Sequence, residues 1–279
     1  MRIGIGLPTS TPGATGEGLL TWAQRAEEGP FTSLGVVDRL VYDSYDPLVA
    51  LAAAGAVTRR ITLCTMIAIT PMRRTAILAK QAASVDAITG GRLVLGVSIG
   101  ARRNDYDAAG APYAGRGALL SRQLAEIRDI WEDDEVGPTP VSEGGPRLLV
   151  GGGSGASFQR AARHADGYVH GGGPPRAFAS AADKARAAWV EAARPGEPAL
   201  WGQSYFSLAD PAAGDAYMRD YYAFTGGFVE RIAAGLLTTP EAIREQIRGY
   251  ADAGCDELVF LPATSDPSEL ERLAEVVGQ

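Results

Sequence analysis

A single (β/α)8 TIM barrel of the α/β class is the fold this sequence predicts, and three observations predict it. Short β-rich apolar runs alternate with helical patterns from one end to the other. Eight such pairs fit within 279 residues, a length that suits one large α/β domain. Most of the runs are continuously apolar, as strands buried on both faces must be. Strict alternation implies parallel strands joined by right-handed crossovers. The competing architecture is an open doubly wound sheet, but "RIGIGLPTSTPGATG" lacks the G-x-G-x-x-G spacing of its tight first turn.

Taken in order, "IGIGLPT" (3–9) leads to the helix "GLLTWAQRAEEG". "LGVVD" (34–38) leads to "DPLVALAAAGAV", where Asp46 is placed to cap and Pro47 to occupy the first helical position. "ITLCTMIAI" (61–69) precedes "TAILAKQAASVDAIT", and "RLVLGVSIG" (92–100) precedes a helix over about 116–131. "RLLVGG" (147–152) precedes "ASFQRAARH", and "GYVHGG" (167–172) precedes "PPRAFASAADKARAAWVEAA". "ALWGQSYFSL" (199–208) is followed by a long helical region that breaks at "TTPEAIRE" and ends near Ala253. "ELVFLPA" (257–263) and "DPSELERLAEVV" close the barrel. The whole chain, 1–279, reads as one domain with an insertion at about 210–238.

Composition narrows the function. A net charge of −7 argues against nucleic acid, whose phosphates demand clustered Lys and Arg. No apolar run approaches the ~20 residues of a membrane span, and "MRIGIGLPTS" reads as a strand rather than a signal peptide. A cytoplasmic protein acting on a small organic molecule is expected. Cys64 and Cys255 sit far apart in apolar runs, as buried thiols do. No His, Cys and carboxylate groups stand at metal-ligand spacing, so no metal is expected.

Chemistry in such barrels sits at the C-terminal ends of the strands. That rule selects Pro8 and Thr9, Asp38 and Arg39, Ile67 to Thr70, Ser98 to Arg103, Gly151 to Gly155, His170 to Gly173, Gln203 to Ser207 and Pro262 to Thr264. In "VGGGSGAS", amides at a helix N-terminus with no Cβ in the way form an anion site. Ser154 is suited to capping the helix or bonding a phosphate oxygen. Glycines of this kind also serve plain strand-to-helix turns, so cradle and turn are both open at this point. Arg102, Arg103 and Arg116 fall on the same face and favour a phosphorylated ligand. Asp38 and Arg39 can pair as a surface ion pair, or Arg39 can hold an anionic group. His170, at the end of the sixth strand and facing the site, is a general acid/base candidate against a packed role. His164, near a helix end, has the blander role of meeting the helix dipole. The two lysines, Lys80 and Lys184, both lie on helices, which disfavours a barrel isomerase or aldolase with a strand-end lysine. Tyr217, Tyr221, Tyr222 and Phe224 of the insertion are placed to lid the site, or else to pack on the barrel or a partner subunit.

"RIGIGLPT", "YDPLVALAAAGAVTRRITLCTMIAITPMRRTAILAKQAASVDAITGGRLVLGVSIG", "RLLVGGGSGASFQRAARHADGYV" and "YADAGCDELVFLPA" together resemble the bacterial luciferase-like monooxygenase family, in order and over nearly the whole chain. The resemblance implies a TIM barrel that binds FMN or the deazaflavin coenzyme F420, its phosphate held by Gly151, Gly152, Gly153, Ser154 and Gly155. It places the ring near Thr65 to Ala68 and Ser98 to Gly100, with a non-proline cis peptide within Met66 to Ile69. It implies reduced FMN, supplied by a separate reductase, acting with O2 on a small organic substrate, or hydride transfer with F420, and a homodimer. His170, Asp38 and Arg39 are the candidate catalytic residues. Two departures bear on the reaction. Many relatives carry Asp-His where this chain has Asp38-Arg39, and "EDDEVGPTPVSEGG" is short for the family, which opens the substrate side. Loss of that His also leaves a non-catalytic flavin-binding protein as a rival reading.

Overall fold

In the computed structural model, which describes residues 1–133 and 135–278, the eight expected strands close into one parallel barrel. Its strands are β1 (Arg2–Gly6), β2 (Ser33–Val36), β3 (Thr62–Thr65), β4 (Ala68–Ile69), β5 (Leu93–Ser98), β6 (Arg147–Gly151), β7 (Gly167–His170), β8 (Ala199–Phe206) and β9 (Glu257–Pro262). The segments β3 and β4 are one barrel strand, the third, interrupted at Met66–Ile67, whose peptide bond is cis. Both segments pair with β5, and β1 closes the ring by pairing with β2 and β9. Asp134, within the short segment before β6, and Gln279, the end of the assigned domain, lie outside the described residues.

The helices are α1 (Gly16–Glu28), α2 (Pro47–Val57), α3 (Thr75–Thr89), α4 (Arg103–Ala108), α5 (Arg116–Glu132), α6 (Gly155–His164), α7 (Pro175–Glu191), α8 (Pro211–Tyr221), α9 (Val229–Ala233), α10 (Pro240–Asp252) and α11 (Ser268–Val277). Five of them, α1, α2, α6, α8 and α10, start at side chains that satisfy the first free amides. Asp46 accepts from Leu48 and Val49 with Pro47 behind it, and Thr15, Ser154, Asp210 and Thr239 cap α1, α6, α8 and α10. The insertion comprises α8, a 3-10 turn (Ala223–Phe228) and α9, between β8 and α10.

Two apolar layers explain the unbroken hydrophobic runs. Along β6, Leu148 and Val150 face the helices while Leu149 faces the barrel axis, and both faces are dry. The axis is filled by Cys64, Met66, Val94, Leu149, Val169, Trp201 and Val259. Cys64 and Cys255 are buried free thiols, pushed up by burial. Among the described residues no helix is long and apolar enough to cross a membrane.

Candidate active site

The cis bond redirects the third strand, and a buried ion pair holds the redirected backbone. Asp38, 5% exposed after β2, accepts from the Ile69 amide at 2.7 Å and from Arg73 Nη2 at 2.9 and 3.0 Å. Arg73 also reaches Asp46, the cap of α2, at 3.2 Å. Burial pushes the Asp38 carboxyl up, against the pull of Arg73 and the Ile69 amide. Asp38 is therefore paired with Arg73 and not with its neighbour Arg39.

This bend brings the ends of three strands together. A Cβ at Gly151 would stand 2.5 Å from Ile67 Cδ1 and 3.6 Å from Ser98 Cβ, so only glycine permits the approach. Ser98 Oγ accepts from the Gly100 amide, and Gly100 takes φ +63° because a side chain there would strike Ile69. Thr65 and Ala68 are buried, and Thr65 spends its hydroxyl on the Gly96 carbonyl.

Next to them is the glycine turn. Gly152, Gly153, Ser154 and Gly155 are exposed, and nothing lies within 4 Å of a Cβ built at Gly153 or Gly155. Ser154 Oγ caps α6 through the Ser157 amide, leaving the Gly155 and Ala156 amides at the positive end of the helix. Gly152 is held by Tyr168, whose hydroxyl donates to its carbonyl at 2.9 Å. That single O–H is then spent, so Tyr168 accepts from His170 Nδ1 at 3.3 Å, and Nε2 is left as an unpartnered lone pair. Burial draws the His170 imidazole below its ordinary value, partly offset by the Gly172 carbonyl.

The position of His170 differs from the sequence expectation. Val169 points to the axis, so Tyr168 and His170 point outward, where His170 lies edge-on to Phe178 of α7. It sits beside the glycine turn and not over the barrel mouth. The arginines also divide. Arg103 and Arg116 stack on Tyr113, while Arg102 stacks between Tyr221 and Phe224. The convergence of all three on the glycines is thus absent from the observed contacts.

Over the mouth lie the tyrosines of the insertion. Tyr217 meets Ser10 at 2.7 Å, Tyr222 donates to Tyr205, and Tyr42 donates to Asp220. Arg39 donates to the Tyr221 carbonyl at 3.0 Å. Burial raises the phenols of Tyr205, Tyr217 and Tyr221, which keeps them neutral. The hollows of about 350 and 590 Å³ lie elsewhere, between α1 and α11 and at the N-terminal end of the barrel. At the mouth, the buried Thr9 Oγ1, Thr70 Oγ1 and Gln203 Oε1 have no hydrogen-bond partner. Together with the exposed amides of the turn, these two hydroxyls and the accepting Gln203 oxygen fit a phosphate-tailed ligand with a polar ring. Among the described residues no three His, Cys, Asp or Glu side chains cluster as metal ligands.

Sequence reasoning missed Tyr168 and Arg73. Tyr168 stands two residues before His170 and so shares its strand face, a signal within reach; Arg73 carried none. Fold and site define a TIM barrel with an exposed glycine turn after its fifth strand and tyrosines of the insertion over its mouth. The chain belongs to the luciferase-like monooxygenase family, a family of oxidoreductases, whose sequence model matches residues 1–236. An uncharacterized protein of Mycobacterium tuberculosis is 32% identical over 187 residues, 55% of this chain and 65% of that protein, so the chain spans less than two thirds of that relative. An F420-dependent secondary alcohol dehydrogenase solved with an F420–acetone adduct has the same fold, with a TM-score of 0.81 at 18% identity over 99% of this chain and 98% of that one. The oxygenating constituent of 3,6-diketocamphane monooxygenase from Pseudomonas putida, solved with FMN, has a TM-score of 0.75 at 17% identity over 100% of this chain and 97% of that one.

Proposed function

We propose that this chain is a flavin-dependent oxidoreductase that uses reduced FMN and O2 to oxidise a small organic substrate. The observation that carries this is the exposed turn Gly152–Gly155, with open Cβ positions at Gly153 and Gly155 and free α6 amides suited to a phosphate. Bound reduced flavin supplies the electrons for oxygen chemistry. The protein's own residues bind, orient and exclude water. Asp38 and Arg73 fix the bend that sets Ile67 against Ser98 and Gly151. The tyrosine lid keeps solvent from the mouth. His170, beside the turn, is proposed as a positioning residue that holds Tyr168 and hence Gly152, in place of the acid–base role its strand-end position suggested. The same cradle suits the phosphate of F420, in which case hydride passes to or from the substrate without oxygen.

The absorption spectrum of the purified protein, with the mass of whatever denaturation releases, tests the cofactor. Oxygen consumption with reduced FMN then tests the reaction. A protein that stays colourless with both FMN and F420 contradicts the proposal. A homodimer is proposed through α2 and α3, which expose Val49, Ile77 and Ile88 at 63%, 57% and 66%. Light scattering that gives a monomer contradicts it. A separate reductase would supply the reduced FMN, and a cytoplasmic site suits both proteins.

A further inference from the structure

Two arginines at the mouth have no ion-pair partner among the described residues. Arg39 and Arg102 both approach the Tyr221 ring, with guanidinium carbons 5.2 and 4.6 Å from its centroid. Arg39 also lies over Tyr42 at 4.3 Å, and Arg102 over Phe224 at 4.3 Å. Arg102 is only 9% exposed, and the Nε of each arginine is buried without a partner. Among the described residues neither forms an ion pair, although Arg2, Arg73, Arg128 and Arg219 each pair with a carboxylate. Asp105, which accepts from the Val41 amide, attracts Arg39 through space without pairing with it, and Asp220 accepts from the Tyr42 hydroxyl.

Aromatic faces attract a cation but leave its charge in place. Two like charges around one ring, in a chain of net charge −7, are an unusual arrangement to leave without a counter-ion. A buried or half-buried cation is costly unless an anion meets it. Burial and Arg102 lower the Arg39 guanidinium, against the pull of Tyr221, Asp105 and Tyr42. A planar carboxylate matches the guanidinium fork in geometry and charge.

We propose that Arg39 and Arg102 receive the carboxylate of an anionic organic substrate, which makes them the specificity-determining residues of this mouth. The inference rests on the flavin-oxidoreductase reading for the role of the mouth, and on the arginine geometry for the charge of what enters it.

The test uses benzoate and its uncharged counterpart benzamide. Their binding is read by protein fluorescence, and by flavin absorbance in FMN-loaded protein. The natural chain should bind benzoate at least tenfold more tightly than benzamide. Arg39→Gln should bring that ratio to within about twofold while the affinity for FMN and the melting temperature stay unchanged, since a purely structural clamp would weaken both probes alike. Arg102→Gln gives the same readout should Arg39→Gln fail to fold. A benzoate-to-benzamide ratio near one in the natural chain overturns the proposal, as does a ratio unchanged in both variants. FMN affinity that falls in step with benzoate affinity also overturns it, assigning the pair to the cofactor. A benzoate preference in a chain that binds neither FMN nor F420 supports the anion site and overturns the flavin reading instead.

Discussion

The two ends of the barrel treat their polar groups in opposite ways. At the N-terminal end they are saturated. Arg92, just before β5, spends all five N–H donors on Thr89, Thr58, Ile61 and Gly55. Glu257, the first residue of β9, accepts from Arg2, Thr32 and Ser33, and Glu27 accepts three successive amides from Arg59 to Ile61. At the C-terminal end, Thr9, Arg39, Thr70, Arg102, His170 and Gln203 each keep a buried polar atom without a partner. A buried unpaired group is a cost to folding, and the row of them at one end supports the proposal that a ligand binds there. Trp22 Nε1 and Trp201 Nε1 are exceptions, unpartnered donors for which we have no physical account. The Asp38–Arg73 pair is the counterpart at the mouth, an ion pair held through Arg73 Nη2, although Arg73 Nε is itself without a partner.

Substitutions should separate the two ends. The largest effect is expected at Asp38→Ala, which strands Arg73 and frees the bend. A loss of about 4 kcal/mol in urea unfolding is expected, together with loss of FMN binding. A variant of full stability would show that the pair is not what holds the third strand. Arg92→Met at the other end should cost about 3 kcal/mol by leaving several carbonyls unpaired, yet leave FMN affinity untouched. Weakened FMN binding there would break the distinction between the ends. His170→Ala should raise the FMN dissociation constant about tenfold, equivalent to about 1.4 kcal/mol. Turnover at saturating FMN should stay within about threefold; a hundredfold fall in turnover would restore His170 as a proton-transfer group.

The smallest effect concerns acid. The folded His170 holds a proton less readily than its unfolded value of 6.5. The unfolded chain therefore takes up that proton first as pH falls, and stability declines from about pH 6.5 downward. His170→Ala should flatten that decline in melting temperature between pH 7 and 5. An identical slope in both proteins would place the proton elsewhere.

Much of the fold was legible because its signals are local. Each strand is a short apolar run, and several of the following helices carry their own cap, such as Asp46-Pro47 or Ser154. The glycine turn was legible for the same reason, since helix start and glycines lie side by side. What could not be read depends on distant residues. The partner of Asp38 is Arg73, 35 residues on, and the ring beneath Arg39 and Arg102 is Tyr221, far along the chain. The direction of His170 turned on which face of a four-residue strand looks inward, and a run apolar on both faces conceals that.

The most direct test of the account is the affinity for FMN, and for F420, of the natural chain and of Gly153→Val, measured by absorbance titration beside urea unfolding. The Gly153 Cβ position faces open space, so the substitution should fill the cradle without disturbing the barrel. The natural chain should bind one of the two cofactors. Gly153→Val should bind it at least a hundredfold more weakly, about 3 kcal/mol, with unfolding stability changed by less than about 0.5 kcal/mol. Equal affinity in the two proteins would contradict a phosphate held at this turn.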